Sequence, residues 1–145
     1  MNDRFFLDTN LFVYSVTNDD PAKARAATGL IRQALKTHKG AVSHQVVQEF
    51  FHLALRRFAV RMSRQDCEEY FECVFRPLLK VHSSAALYAE ALRLHAASKV
   101  QWYDALIVCA AREADCGILY SEDFQHGQRF GGLRVVNPFL DGDAE

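Results

Sequence analysis

The chain has 145 residues, half of them hydrophobic and only three of them proline, enough to bury a core without disulfides or a structural metal. With 17 Lys and Arg against 18 Asp and Glu, the formal net charge is -1, which excludes a strongly basic domain that attracts polyanions through its global field. Any nucleic-acid contact must come from local patches.

Phe5–Leu7 is an unbroken apolar run, as expected of a strand covered on both faces of a parallel sheet, and Asp8 stands where it ends. A carboxylate there faces the crevice in which open α/β sheets bind ligands. Asp8 or Asn10 is equally well placed to cap the helix that follows. Asp20-Pro21 opens a second helix with apolar positions Ala27, Leu30, Ile31, Ala34 and Leu35, and Gly40 closes it.

Ala41 and Val42 make a very short strand, and Ser43 caps a helix over 45–58 whose apolar face is Val46, Val47, Phe50, Leu53 and Ala54. Glu49 borders that face one turn in, as a surface charge or as a side chain pointing into a crevice. Ser63 begins a capping-box-like Ser-Arg-Gln-Asp, followed at helical spacing by Cys67, Tyr70, Phe71, Val74 and Phe75, and Pro77 ends that helix. Residues 78–81 form a third strand, and Ser84 caps a helix to about residue 97.

Trp102-Tyr103-Asp104 opens the most apolar helix, with Ile107, Val108 and Ala111 in its buried stripe. Asp104 lies in its first turn, where the macrodipole favours a carboxylate. Gly117 stops this helix, Ile118–Tyr120 is a fourth strand, and Ser121-Glu122-Asp123 follows its end. Leu133–Val136 is a fifth strand closed by Asn137-Pro138, and 140–145 is a short acidic tail.

The N-terminus, with Asp3 and Arg4 before a short apolar run, is wrongly flanked for a signal peptide, and no segment reaches the length of a transmembrane helix. Cys67, Cys73, Cys109 and Cys116 form no C-x-x-C pair and read as reduced thiols. A soluble, cytoplasmic protein with no membrane partner is expected.

Strands alternating with helices predict an α/β fold: a single domain over 1–145 with a central, mostly parallel five-stranded sheet flanked by helices. Strand ends and the starts of the next helices share one edge of such a sheet, so Asp8, Glu49, Asp104 and Asp123 can converge there. Four carboxylates in one crevice repel unless they are protonated or bridged by cations. An oxygen-only set suits Mg²⁺ or Mn²⁺, and no cysteine-histidine cluster competes for zinc. Such an ion activates a bound water and offsets charge on a phosphodiester, so the implied chemistry is metal-dependent hydrolysis of a nucleic-acid backbone to 5′-phosphate and 3′-hydroxyl ends.

Leu7-Asp8-Thr9-Asn10, Gln48-Glu49-Phe50, Tyr103-Asp104-Ala105-Leu106-Ile107, Ser121-Glu122-Asp123-Phe124-Gln125-His126-Gly127 and Asn137-Pro138-Phe139 closely resemble segments of the PIN-domain ribonucleases, especially the VapC-type toxins of bacterial toxin-antitoxin pairs. The resemblance covers essentially the whole chain in order. It implies that Asp8, Glu49, Asp104 and Asp123 are the catalytic, metal-binding set and that Thr9, Asn10 and Ser121 orient acids or water. It further implies a Mg²⁺-dependent endoribonuclease, often dimeric, silenced by an antitoxin whose C-terminal segment lies across the site. Glu122 adjoins Asp123, and the family pattern selects Asp123.

Other signals have two readings each. Arg56, Arg57, Arg61 and Arg64 are the densest basic run, fit either to grip RNA phosphates or to complement a helix dipole. Trp102 and Tyr103 stack on a base or belong to the core. Glu49-Phe50-Phe51-His52 is a single Glu-x-x-His, of which di-iron bundles need two, so His52 is expected to be solvent-facing or structural and His126 a polar loop residue.

Three other functions compete. An aspartate-based phosphatase would need a second Asp where Asn10 stands. A histidine-based ribonuclease would survive EDTA, and a non-catalytic RNA- or protein-binding module would turn nothing over.

Overall fold

All three residues of β1 (Phe5–Leu7) are buried, and a strand apolar on both faces takes the centre of a sheet, where helices cover each side. The computed structural model, which describes residues 2–56 and 62–140, places β1 between β2 (Gly40–Ser43) and β4 (Ile118–Tyr120), parallel to both. Outside them lie β3 (Leu79–Val81) on one flank and β6 (Leu133–Val136) on the other, again parallel. The sheet order is β3-β2-β1-β4-β6-β5. The five strands expected from the sequence are therefore the parallel ones. The sixth, β5 (Arg129–Phe130), is a two-residue antiparallel edge strand, too short to leave an alternating pattern.

The helices are α1 (Thr9–Val16), α2 (Pro21–Thr37), α3 (His44–Arg56), α4 (Arg64–Tyr70), α5 (Arg76–Leu78), α6 (Ala85–Ser98) and α7 (Trp102–Glu113). Their starts follow local chemistry. The Asp20 carboxylate accepts from the Lys23 amide at 3.2 Å, Ser84 accepts from the Leu87 amide at 3.1 Å, and Ser63 with Asp66 closes a complete capping box.

Four local expectations are corrected. Gly40 does not close α2. His38 takes the left-handed turn at φ 61°, and Gly40 opens β2, where a Cβ would lie 2.2 Å from the Ala34 Cβ. Its missing side chain allows helix and strand to touch. Likewise, Asp115 at φ 60°, ahead of Gly117, turns the chain after α7. Ser43 does not cap α3, because it is the buried last residue of β2 and its hydroxyl has no hydrogen-bond partner. Pro77 does not end its helix. The turn before it, Phe71–Phe75, is π-wound, with the Arg76 amide donating to the Phe71 carbonyl, and helix continues to Leu78. A proline removes a helical N–H and crowds the carbonyl four residues back, and a widened turn beside it accommodates that change. β3 accordingly begins at Leu79. The end of the helix expected over 45–58 and most of the acidic tail lie outside the described residues.

The core is aromatic beneath α1 and α3. Phe12 lies 4.9 Å from Phe75, and Phe50 stacks on Tyr70 at 4.8 Å and meets Phe75 edge-on at 5.2 Å, ring centre to ring centre. This packing seats α3, which carries Glu49, against the π-wound segment. Cys67, Cys73, Cys109 and Cys116 are all free thiols.

Candidate functional site

Leu7 pairs with Tyr120 across β1 and β4, so the next residue of each strand, Asp8 and Ser121, emerges side by side. The ladder continues one step further, with the Asp8 amide donating to the Tyr120 carbonyl at 3.1 Å. From β1 the chain builds to β2 and β3 on one side and to β4 and β6 on the other. The carboxyl end of β1 is thus the topological switch point, where open α/β sheets form their ligand crevice.

The capping reading of Asp8 holds, and its second oxygen is engaged from the end of β4. One oxygen, Oδ1, caps α1 by accepting from the Thr9 amide at 2.7 Å, and Oδ2 accepts from the Ser121 hydroxyl at 2.7 Å. The Ser121 oxygen in turn accepts from the Asp123 amide at 3.1 Å. On the other side, the Thr9 hydroxyl donates to Glu49 Oε1 at 2.6 Å. Gln45 Nε2 donates to Glu49 Oε2 at 3.2 Å and to the Tyr103 carbonyl at 3.3 Å, one residue from Asp104. A single hydrogen-bonded chain therefore runs Asp123, Ser121, Asp8, Thr9, Glu49, Gln45, Tyr103 and ends beside Asp104. It joins segments from four places in the sequence.

The electrostatics match that convergence. Asp8 is 4 % exposed, and burial pushes its carboxyl up to about 7. The Ser121 and Thr9 hydrogen bonds oppose the shift, and the charges of Asp123 and Glu49 add to it. Asp104 is raised by burial and then by the charges of Asp123 and Glu49. Asp123 is raised by burial and then by Glu122 and Glu49. A crevice of about 410 Å³ opens over Asp8, Thr9, Asn10, Glu49, Glu122 and Asp123. Asp104 is not among the residues that line it.

A family model for the PIN domain matches residues 5–128. The chain belongs to the PIN-domain family. No curated protein matches it at a significant level. Among solved structures, it is similar to a chain of a toxin-antitoxin complex from Klebsiella pneumoniae, at 18% identity over 92% of this chain and 97% of that one, with a TM-score of 0.64. Similar too is VapC20 from Mycobacterium tuberculosis, described as a sarcin-ricin loop cleaving toxin, at 19% identity over 83% and 91% of the two chains, TM-score 0.59. VapBC2 from Rickettsia felis, solved on a promoter DNA fragment, matches at 16% identity over 90% and 96%, TM-score 0.62. At these identities the likeness is one of fold.

In this PIN domain the two adjacent acids after β4 differ in their surroundings. The Tyr14 hydroxyl donates to Glu122 Oε2, and Lys23 Nζ donates to Glu122 Oε1 at 2.9 Å, so both Glu122 oxygens are engaged by α1 and α2. Asn10 points an amide oxygen into buried space with no hydrogen-bond partner, beside the crevice. Thr9 and Ser121 each donate to an acid.

The remaining candidates fall outside this network. Arg56 is exposed at the end of α3, Arg64 pairs with Glu68 at 3.6 Å, and Arg57 and Arg61 lie outside the described residues. His52 is exposed on the crevice wall, and His126 Nδ1 accepts from the Asn137 amide at 3.0 Å, which holds the turn after β6. Trp102 packs against the core and stacks on Tyr88, whereas Tyr103 is 66 % exposed. Gln45 was not singled out from the sequence. Its signal was there in the four-residue spacing to Glu49, which puts both on one helix face.

The donor set suits a hard divalent cation. It is all oxygen, it includes the unpartnered Asn10 amide oxygen, and burial together with mutual repulsion disfavours its charged state. Among the described residues, no three His, Cys, Asp or Glu side chains stand close enough to grip an ion directly. Mg²⁺ keeps several of its waters and takes only one or two carboxylates directly.

Proposed function

We propose that this PIN domain is a Mg²⁺- or Mn²⁺-dependent endoribonuclease and the toxin of a toxin-antitoxin pair. The observation that carries the reading is the hydrogen-bonded chain gathering Asp8, Glu49, Asp123 and the Asp104 turn at the switch point of the sheet. Asp8, Asp104 and Asp123 hold the cation, and Glu49 completes the site and orients the attacking water. Bound there, the ion supplies a water of lowered pKa and offsets charge on the phosphodiester.

The chain's own residues do the rest. Ser121 and Thr9 lock the Asp8 and Glu49 carboxylates in place, and burial of Asp8 excludes competing water from its backbone side. Asn10 offers its free oxygen to a water or to the ion. Arg56 grips a flanking phosphate from the end of α3. In-line attack by water leaves a 5′-phosphate on one product and a 3′-hydroxyl on the other.

A cognate antitoxin belongs to the same reading, supported by the toxin-antitoxin assemblies among the solved structures of this fold. So does a homodimer, supported by Tyr88 and Leu92, exposed four residues apart on α6. Among the described residues no helix is long and apolar enough to cross a membrane, and the reading places the protein in the cytoplasm.

Total cellular RNA incubated with the protein in Mg²⁺ or in EDTA, with Asp8→Asn alongside, tests this directly. New 5′-phosphate ends at a few positions are expected, absent in EDTA and in the variant. Ends that persist in EDTA would overturn the metal mechanism. Absence of new ends in every lane would favour a binding module.

A further inference from the structure

Gln45 links one acid of the site, Glu49, to the backbone beside another, Asp104. Glu49 lies one turn into α3, and Asp104 lies in the first turn of α7. Between them stands Gln45, in the first turn of α3 and 7 % exposed. Its one amide nitrogen serves Glu49 Oε2 on its own helix and the Tyr103 carbonyl 58 residues away. Glu49 has its other oxygen on Thr9, so its carboxylate is gripped at both ends. Among the described residues, no other side-chain hydrogen bond of the network reaches the Asp104 turn.

We infer that Gln45 is a positioning residue: it holds the Glu49 carboxylate and the Asp104 turn together, so that the acid cluster stands assembled before a cation arrives. The inference rests on the metal reading of the site and adds to it a residue that touches neither ion nor RNA. A primary amide suits the task. It donates two hydrogen bonds, carries no charge to cancel the acids, and does not titrate. A lysine would donate as well but would neutralise one carboxylate, and a hydrophobic residue would take one donor from Glu49 and one from the Tyr103 carbonyl.

The test is Mn²⁺ binding by the wild-type protein, Gln45→Met, Glu49→Gln and the double variant, measured calorimetrically without RNA. Gln45→Met keeps the length of the side chain and loses both donors; Gln45→Leu replaces it should the first fail to fold. Loss of a group that orients a ligand typically weakens metal binding about 10- to 100-fold, and that loss is expected for Gln45→Met. In the Glu49→Gln background the same change should add little, because the group being positioned is already altered.

A role in helix packing alone would lower thermal stability equally in both backgrounds and leave Mn²⁺ affinity intact, and that result would overturn the inference. Amide exchange in EDTA supplies the second readout. The first turn of α7 should exchange faster in Gln45→Met, while the amides of β4 stay protected. Should the wild-type protein bind no Mn²⁺, the metal reading falls. The exchange then decides Gln45 on its own: unchanged protection of the α7 turn would sink the inference, and its selective loss would sustain it.

Discussion

Ser121 shows how one hydroxyl can serve two acids. It donates to Asp8 Oδ2 at 2.7 Å and accepts from the backbone of Asp123 at 3.1 Å, and it is fully buried. Replacing it with alanine leaves the buried Asp8 oxygen with one donor fewer and loosens the turn that aims Asp123. Ser121→Ala is expected to lower Mn²⁺ affinity and RNA cleavage about 10- to 100-fold, as losses of ligand-orienting groups do. Calorimetric titration beside a cleavage assay measures both. An unchanged affinity would mean that the hydroxyl serves only the β4 turn. The same scale separates Glu122 from Asp123: both line the crevice, but the first has both oxygens occupied by Tyr14 and Lys23.

At the scale of elements, the site depends on how closely α2 packs on β2, because β2 aims α3 and α3 carries Glu49 and Gln45. Gly40 sets that distance. A Cβ there would sit 2.2 Å from the Ala34 Cβ and 2.9 Å from its Cα, and backbone cannot step aside as a flexible side chain does. Gly40→Ala gains a little by stiffening the unfolded chain, but overpacking of a close contact costs about 1–3 kcal/mol and should win. Chemical denaturation reads the loss, and Ala34→Gly in the same chain should restore part of it. If Gly40→Ala melted like the wild type, helix and strand would be less tightly fitted than the structure has them. The helix caps, by contrast, are local devices that the sequence already declares at Asp20, Ser63 and Ser84.

For the molecule as a whole, folding gathers carboxylates that the unfolded chain keeps apart, and stability must depend on pH. Asp8 is raised from 3.8 to about 7, and Asp104 and Asp123 are raised in the same direction. Groups raised on folding bind more protons in the native state. Their contribution is fully present below the unfolded value of 3.8 and is lost as pH climbs through about 7. The melting temperature in EDTA should therefore fall between about pH 4 and pH 8, the reverse of ordinary acid denaturation. Asp8→Asn should flatten the fall and stabilise the metal-free protein at the upper end. Mn²⁺ should recover the most stability at the higher pH, where the carboxylates are ionised and ready to bind. A melting temperature that rose over this range in EDTA would contradict the buried, crowded state of Asp8.

The sequence by itself determined most of the elements and marked Asp8, Glu49, Asp104 and Asp123 as candidates. The apolar run Phe5–Leu7 ending at Asp8, the stripe of Ile107, Val108 and Ala111 behind Asp104, and the caps at Asp20, Ser63 and Ser84 are set by neighbours within a few positions, where periodicity and cap chemistry act. It did not reveal β5, whose two residues hold no period, or the π-wound turn ahead of Pro77. The tertiary structure alone decided which groups meet. Ser121 reaches Asp8 across 113 residues because Leu7 and Tyr120 share a register, and Gln45 reaches Tyr103 across 58 because α3 and α7 start on one edge. Hydrogen-bond partners follow from strand register and helix packing, which the whole fold fixes together, and no local stretch of chain contains that information.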